Sequence, residues 1–158
     1  MKNVGVIGSG TMGNGIAHVF AQNGYNVHLI DIKQDALDRA LQVIAKNFDR
    51  QIAKGKISED VKTDSLNRIE TFTNVLTGVA GCDLVVEAAT ERLDLKKKIF
   101  QEVDQAAPEH CILATNTSSI SITELAAATK RPEMVIGMHF MNPVPVMKLV
   151  EIITGYCT

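Results

Sequence analysis

Residues 4–13 of this chain read VGVIGSGTMG, a short apolar run that passes directly into the pattern Gly-x-Gly-x-x-Gly. A short apolar run bounded by glycine is typical of a buried strand. Apolar residues follow at helical spacing in residues 16–20, and the Asn-Gly pair at 23–24 indicates where that helix ends. The glycine pattern is weak evidence by itself, but between a strand and a helix it indicates a dinucleotide-binding turn.

Each glycine of the pattern has a separate physical task in such a turn. Gly8 would make the tight bend, Gly10 would let a pyrophosphate approach the backbone, and Gly13 would let the helix pack closely on the strand. Free N–H groups at the helix N-terminus would then face the phosphates. The alternative is a tight turn that binds nothing. The predicted cofactor-binding residues of this turn are Gly8, Ser9, Gly10, Thr11, Met12 and Gly13.

Asp31 indicates which dinucleotide the turn would hold. It ends the second predicted strand and follows Gly13 at about the distance expected for a ribose-binding acid. A carboxylate there accepts hydrogen bonds from the ribose hydroxyls of NAD and repels the additional phosphate of NADP. Two alternatives stay open: Asp31 would instead cap the next helix, or the neighbouring Lys33 would weaken the discrimination against NADP.

The remainder of the chain alternates between strands and helices. Apolar spacing from Leu37 to Ile52 predicts a long amphipathic helix, and a second helix is predicted near Ser58. This alternation predicts an α/β, Rossmann-type doubly wound and mostly parallel sheet, with a helical hairpin inserted after the second strand. A chain of 158 residues is expected to form one domain, residues 1–158. The later strands are predicted at residues 26–30, 68–72, 83–88, 111–115, 134–140 and 147–153.

Composition and charge argue against several classes of protein. The chain has 16 basic and 18 acidic residues, and this balance does not favour binding to nucleic acid or to an anionic membrane. No apolar run reaches the roughly 20 residues of a membrane helix, and the first residues lack the form of a signal peptide, so a cytoplasmic protein is expected. Neither a disulfide framework nor a metal site is predicted from the widely spaced Cys82, Cys111 and Cys157.

In a sheet of this kind a ligand lies beyond the carboxyl ends of the strands. Polar residues near those ends include Glu91, Lys96 and Ser118, and His139 ends the sixth strand with Glu151 in the seventh. Oxidation of a secondary alcohol needs a base for the hydroxyl proton, and an imidazole oriented by a carboxylate suits that task. Judged from spacing alone, a structural histidine, a turn-forming serine and solvated charges are the commoner alternatives. A structural role is also predicted for His18, His28 and His110.

Four stretches together resemble one known family. They are VGVIGSGTMGNGIA at 4–17, DLVVEA at 83–88, NTSS at 116–119 and HFMNPVPVMKLVE at 139–151. Over essentially the whole chain they are similar to the L-3-hydroxyacyl-CoA dehydrogenases, with the bacterial 3-hydroxybutyryl-CoA dehydrogenases most alike. The last stretch is much more specific than the glycine pattern, so the resemblance favours a catalytic role for His139 over a structural one.

The resemblance implies an oxidoreductase that interconverts (S)-3-hydroxyacyl-CoA and 3-ketoacyl-CoA with NAD, in fatty acid or butyrate metabolism. His139 would be the general acid and base on the 3-hydroxyl group, and Glu151 would orient it. Ser118 would bind the substrate oxygen near the nicotinamide, and Asn142 would lie at the nicotinamide ribose or ring. The residues that the resemblance adds to the cofactor site are Glu91, Lys96, Ser118 and Asn142.

The helical hairpin also matches a family feature that flanks the coenzyme A moiety of the substrate. Four polar residues of its long helix recur at spacings of three and four, so they are predicted to share one face. The resemblance makes Asn47 and Lys54 candidate substrate-binding residues, with Lys54 placed to meet a coenzyme A phosphate. The alternative is the solvated side of an amphipathic helix. The four residues are Asn47, Arg50, Gln51 and Lys54.

Members of the family carry a second, all-helical domain, which provides the dimer interface, a further catalytic asparagine and one wall of the acyl pocket. The present chain ends at Thr158, shortly after Glu151. Because turnover needs a closed site, we expect this chain alone to bind NAD with little or no activity. Two other hypotheses are a dinucleotide-binding module without catalysis and a related dehydrogenase that acts on a hydroxy acid or sugar acid.

Overall fold

Seven strands form one sheet in the computed structural model, which describes all 158 residues. The strands are β1 Asn3–Ile7, β2 Asn26–Ile30, β3 Ile69–Phe72, β4 Leu84–Glu87, β5 Ile112–Thr115, β6 Val135–Phe140 and β7 Val150–Thr154. The helices are α1 Thr11–Gln22, α2 Gln34–Ala53, α3 Glu59–Asn67, α4 Val75–Val79, α5 Leu93–Ala106 and α6 Ile122–Ala126, with a 3-10 turn at Pro132–Met134.

The strand order across the sheet is β3-β2-β1-β4-β5-β6-β7. The first six strands are parallel to their neighbours, and β7 is antiparallel to β6. The chain therefore builds outward from β1 in one direction, returns, and continues from β4 in the other. The predicted doubly wound, mostly parallel sheet is confirmed, and β1 and β4 flank its switch point, where such folds bind ligands.

Helices cover both faces of the sheet and create two apolar cores. On one face, Val4 and Val6 of β1 pack with Ile16 of α1 and with Leu37 and Phe48 of α2. The second core lies under α4, α5 and α6 and includes the buried thiols Cys82 and Cys111. Strands that are covered on both faces have nearly continuous apolar sequences, and this is why the central strands could be predicted.

The predicted helical hairpin is present as α2 and α3, and it packs against α1. His18 of α1 is fully buried, and its ring stacks on Phe48 at a centroid distance of 3.9 Å. Its Nε2 atom lies 3.1 Å from Gln22 Oε1 and 3.3 Å from Gln51 Nε2. The predicted structural position of His18 is thus confirmed. None of the helices, α2 included, is both long and apolar enough to cross a membrane.

Two features differ from the sequence prediction. Helix α4 was not predicted, because five residues are too few to show a helical period; it begins after Asn74, whose side chain accepts a hydrogen bond from Thr77 N. The last strand begins at Val150 rather than at residue 147. The preceding residues form a turn in which Met147 N donates to Pro143 O, so they are not available to pair with β6.

The buried position of His18 makes the folding stability depend on pH. Burial lowers the pKa of His18 from 6.5 to about 4, and the hydrogen bond with Gln22 offsets part of this effect. Below pH 6.5 the unfolded imidazole binds a proton that the folded one refuses until about pH 4, so the folded state loses stability as pH falls through this window. From pH 7.5 to 4.5 this loss should be about 2–3 kcal/mol.

Urea unfolding at a series of pH values measures this loss directly. The variant His18→Gln removes the titrating group, so its stability should fall much less over the same range. His110→Gln is the control, because the side chain of His110 is 68% exposed. Equal pH slopes for the natural chain and His18→Gln would contradict the assignment.

Candidate cofactor and acid–base site

The loop between β1 and α1 is built by close backbone approaches. Gly8 has a φ of +94°, a conformation that side chains other than glycine rarely adopt, and its N–H donates to Ile30 O at 2.8 Å. A Cβ atom added to Gly8 would lie 2.6 Å from the Cα atom of Ala89, just beyond β4. The loop is thus pressed between the carboxyl ends of β2 and β4.

The other two glycines of the pattern have opposite surroundings. A Cβ atom on Gly13 would lie 1.7 Å from the carbonyl oxygen of Gly8, so only glycine lets α1 approach the loop this closely. A Cβ atom on Gly10 would meet nothing within 4 Å. Gly10 precedes α1, and no side chain caps the helix there. The first N–H groups of α1 therefore face open space, as an anion site requires.

Asp31 follows β2 and is held by the glycine loop. Its Oδ2 atom accepts hydrogen bonds from Ser9 N at 2.9 Å and from Ser9 Oγ at 2.7 Å. Its Oδ1 atom accepts only a long bond from Lys33 N at 3.3 Å. Because a carboxylate oxygen has two lone pairs, Oδ1 keeps acceptor capacity for a ribose hydroxyl group.

A cleft of about 680 Å³, called here the major cleft, opens beside Asp31 between the glycine loop, α2 and α5. Its volume suits a small-molecule ligand. Apolar side chains make up much of its wall, and Arg39 and Lys98 add positive charge. A flat base and a ribose fit such a wall, with the phosphates at Gly10. The apolar side chains include Ile30, Ile32, Val43, Val75, Leu95 and Ile99.

A second cleft of about 250 Å³, called here the minor cleft, lies on the other side of the glycine loop. It shares Thr11, Ala88 and Ala89 with the major cleft and is further lined by Met12, Thr90, Glu91, Lys96 and Asn116. In the strand order, the minor cleft lies between Asp31 beyond β2 and the carboxyl end of β6. A ligand that binds Asp31 and reaches β6 must cross it.

Lys96 is not a solvated charge, so the alternative of an ordinary surface lysine is wrong. Its side chain is 1% exposed and its Nζ atom lies 2.5 Å from Oε2 of Glu87, which is also 1% exposed. Thr115 Oγ1 accepts from Lys96 and donates to Glu87. The sequence patterns predict no role for Glu87 or Thr115. The available signal was a single acid at the end of an otherwise apolar strand.

The loop after β5 is held on two sides. Asn116 Oδ1 accepts from Phe140 N at 2.8 Å, which ties the loop to the end of β6. Thr117 Oγ1 donates to Glu91 at 2.6 Å and accepts the N–H groups of the next turn. Ser118 lies between these anchors, is exposed and makes no hydrogen bond. Its hydroxyl group is therefore free to bind a ligand.

His139 and Glu151 lie directly opposite each other on β6 and β7. The Nδ1 atom of His139 is 2.8 Å from Glu151 Oε2, and the two side chains are 23% and 51% exposed. A carboxylate accepts, so Nδ1 donates its proton and Nε2 is left to exchange one with a ligand. Since side chains alternate between sheet faces, a slip of one residue in this register would separate the pair.

The turn after β6 is docked on α1. Val144 is buried, and a Cβ atom on Gly15 would lie 2.8 Å from Val144 Cβ, so glycine is needed for this contact. Asn142 is exposed at the start of the turn, two residues before Val144. The contact with α1 therefore holds Asn142 near the helix that the glycine loop begins.

The predicted polar face of α2 is only partly present. Gln51 turns towards His18 in the interior, and its Oε1 atom is buried without a partner. Asn47 accepts a hydrogen bond from Arg50 at 3.0 Å. Lys54 is exposed just beyond the end of α2. Gln51 is thus excluded from the predicted face, because the hairpin packs closely on α1.

Together these features define a class of protein, the dinucleotide-binding domain of an NAD-dependent oxidoreductase. The glycines fit a pyrophosphate, and the acid at the end of β2 fits an unphosphorylated ribose. An imidazole–carboxylate pair stands at the far end of the row of strands. No group of three or more His, Cys, Asp and Glu side chains is arranged to hold a metal ion.

Comparison with known proteins identifies the family. Residues 3–158 match the family described as "3-hydroxyacyl-CoA dehydrogenase, NAD binding domain". The match covers almost the entire chain. The chain therefore belongs to the 3-hydroxyacyl-CoA dehydrogenases, of which it forms the NAD-binding domain.

Individual relatives agree with this assignment. The chain is 51% identical over 158 residues to a 3-hydroxybutyryl-CoA dehydrogenase of Bradyrhizobium diazoefficiens, covering 100% of this chain and 54% of that protein. It is 46% identical to a 3-hydroxyadipyl-CoA dehydrogenase of Escherichia coli K12, over 100% of this chain and 33% of that protein. The crystal structure of (S)-3-hydroxybutyryl-CoA dehydrogenase from Ralstonia eutropha matches with a TM-score of 0.96 and 49% identity, over 100% of this chain and 56% of that one. The chain thus spans about half the length, or less, of these relatives.

The position of Asp31 predicts how NAD is distinguished from NADP. The variant Asp31→Asn removes the negative charge near the ribose, so NADH affinity should fall about tenfold while NADPH affinity rises. Titration of the fluorescence of both nucleotides measures the two affinities. Asp38→Asn, an exposed carboxylate on α2 bonded to Gln34, is the control. An unchanged preference for NADH over NADPH in Asp31→Asn would disprove the role.

Because Gly10 and Gly13 have different surroundings, we expect different effects when each is replaced by alanine. Gly10→Ala should fold with an unchanged melting temperature, because its Cβ meets no protein atom, but should lose most NADH binding. Gly13→Ala should lower the melting temperature by several degrees, because its Cβ collides with the Gly8 carbonyl group. Thermal unfolding with and without NADH separates the cases. NADH binding by Gly10→Ala at natural affinity would contradict the phosphate site.

Proposed function

We propose that this domain serves the NAD-dependent interconversion of (S)-3-hydroxyacyl-CoA and 3-ketoacyl-CoA, with His139 as general acid and base. The observation that carries the proposal is the 2.8 Å contact between His139 Nδ1 and Glu151 Oε2, at the end of a row of strands that begins with Asp31. Family membership supports the reaction class.

The reaction divides between the cofactor and the chain. Bound NAD would supply the acceptor for the hydride on C3 of the alcohol. In this direction His139 Nε2 takes the proton of the 3-hydroxyl group, and in the reverse direction it returns that proton to the ketone oxygen. The bond from Nδ1 to Glu151 orients the ring and stabilises the imidazolium that forms. Proton movement at one nitrogen thus accompanies both directions of the reaction.

Two exposed polar side chains are suited to hold the reacting groups. The free hydroxyl group of Ser118 would donate to the substrate oxygen, and its loop is anchored to β6 through Asn116. Asn142, exposed on the turn that Val144 docks on α1, would contact the nicotinamide ribose or ring. Glu91 and Lys96 would line the cofactor site from the minor cleft. The bond of Asn116 to β6 and the contact of Val144 with α1 restrict the motion of these side chains, so less entropy is lost when the reacting groups are positioned.

The hairpin would contact the coenzyme A part of the substrate. Lys54 is exposed beyond α2 and would meet a coenzyme A phosphate, and Asn47 would donate from the same helix. Relatives named for hydroxybutyryl and hydroxyadipyl esters are similarly identical to this chain, so a coenzyme A ester is the shared substrate class. A short hydroxybutyryl ester is the proposed substrate, because a relative of that name is 51% identical.

Assembly and location complete the proposal. We propose that a homodimer forms through a second, helical domain of the kind that the family resemblance implies, and that the protein is cytoplasmic. The alternative of a dinucleotide-binding module without catalysis makes one different prediction. A module would bind NADH and never oxidise it, whatever helical half it is combined with.

The decisive assay follows the oxidation of NADH in the presence of acetoacetyl-CoA. The protein is residues 1–158 joined to the C-terminal half of the Bradyrhizobium relative, and residues 1–158 alone are measured beside it. We expect turnover by the joined protein and little by the chain alone. His139→Gln should lower kcat at least about 100-fold, and Glu151→Gln about tenfold or more, because the first removes the base and the second its orientation.

Two controls keep this result specific. His110→Gln replaces a histidine paired with Asp83 at the opposite end of the sheet, and should leave kcat unchanged. NADH binding by His139→Gln should persist, since the glycine loop and Asp31 are intact. NADH binding without oxidation in the joined protein would favour the module, and normal kcat in His139→Gln would refute the catalytic assignment.

A further inference from the structure

One charged pair in the molecule has no part in the proton transfer and is nevertheless fully buried at the site. Glu87, the last residue of β4, and Lys96 of α5 are each 1% exposed and lie 2.5 Å apart. The neighbouring lysine of α5, Lys97, pairs with Glu124 in a position that is exposed to solvent. Two adjacent lysines of one helix therefore have very different surroundings.

Glu87 connects three elements behind the wall of the minor cleft, through partners that line the cleft. Its Oε1 atom accepts from Ala89 N at 2.8 Å, in the bend between β4 and α5. Its Oε2 atom accepts from Lys96 Nζ and, at 3.1 Å, from Thr115 Oγ1 on β5. Ala89 and Lys96 both line the minor cleft. One carboxylate thus determines the positions of a backbone bend and of an ammonium group on the same wall.

Stability alone does not explain a charged pair at this position. Removing two charges from water costs about as much as their attraction returns, so apolar residues of similar size would stabilise the fold as well or better. An ammonium group has three N–H donors. Lys96 uses one on Glu87 and one on Thr115, at 3.3 Å, and its third donor has no partner in the chain although the residue lines a cleft.

We propose that Glu87 is a positioning residue for the nicotinamide half of the bound dinucleotide, holding the Lys96 ammonium group so that its third N–H meets an oxygen of the ligand in the minor cleft. The inference rests on the proposed binding of NAD across both clefts. Asp31 and the major cleft hold the adenosine half, so the half that continues towards His139 passes Lys96. Glu87 itself does not touch the ligand.

The test compares a ligand that reaches the minor cleft with one that does not. NADH spans both clefts, whereas ADP requires only the major cleft and the start of α1. In Glu87→Gln, NADH affinity should fall about tenfold, the loss expected for one charge-assisted hydrogen bond. ADP affinity should stay within about twofold of the natural chain. A purely structural role would weaken both ligands or neither.

A double variant keeps the test valid if Glu87→Gln folds poorly. Glu87→Gln combined with Lys96→Met removes both charges, so no buried ammonium is left unpaired and the melting temperature should return towards that of the natural chain. Its affinity for NADH should remain about tenfold reduced, with ADP unaffected. Glu124→Gln, which breaks the exposed pair with Lys97, is the matched control and should change neither affinity.

The outcomes separate this inference from the proposed function. If the natural chain fails to bind NADH, both are overturned. If the natural chain binds NADH and the double variant binds it equally well, only the role of Glu87 and Lys96 is overturned. Equal losses of NADH and ADP affinity in the double variant would also overturn it, because the pair would then support the fold rather than the minor cleft. Selective loss of NADH affinity supports it.

Discussion

The contact between the start of α1 and the loop before it is the constraint on which the rest of the site depends. A Cβ atom at Gly13 would lie 1.7 Å from the Gly8 carbonyl oxygen, far closer than van der Waals contact allows. This approach directs the free N–H groups of α1 to the carboxyl edge of the sheet. It also presses Gly8 against Ala89, so that β4 and its bend are placed by the same contact. The major cleft and the minor cleft lie on either side of the glycine loop, and the close packing of this loop leaves room for both.

The parallel strands then arrange the functional groups in a row. Asp31 follows β2, the glycine loop follows β1, Glu87 ends β4, Asn116 follows β5 and His139 lies near the end of β6. Parallel strands all end at one edge, so residues far apart in sequence become neighbours. The antiparallel β7 adds Glu151 to this edge from the opposite direction. An extended ligand can therefore contact residues that are more than a hundred positions apart in the sequence, such as Asp31 and His139.

The predicted and observed elements agree best where periodicity was long or burial was complete. Helix α2 and the central strands were predictable, because a covered strand is apolar throughout and a long helix repeats its apolar face several times. Helix α4 was missed because five residues carry no period. Gln51 was predicted on the exposed polar face of α2, but it turns towards His18 of α1. Helical spacing shows which residues share a face of α2, but it does not show which side of the helix α1 packs against.

By itself the sequence determined the strand–helix alternation, the glycine turn and the acid after the second strand, since each depends on local backbone geometry or on a short-range pattern. Resemblance to a family added His139 and Glu151 as a pair, which their spacing alone did not favour. Only the tertiary structure decided that these two residues are opposite each other in register, that Lys96 is buried on Glu87, and that Asn116 links two strands. The register of β6 and β7 depends on the turn that joins them, which the sequence pattern did not specify. The contacts of Lys96 and Asn116 depend on strand order and packing, and in a parallel sheet those are set by long crossover connections that leave no mark in the spacing of the residues they bring together.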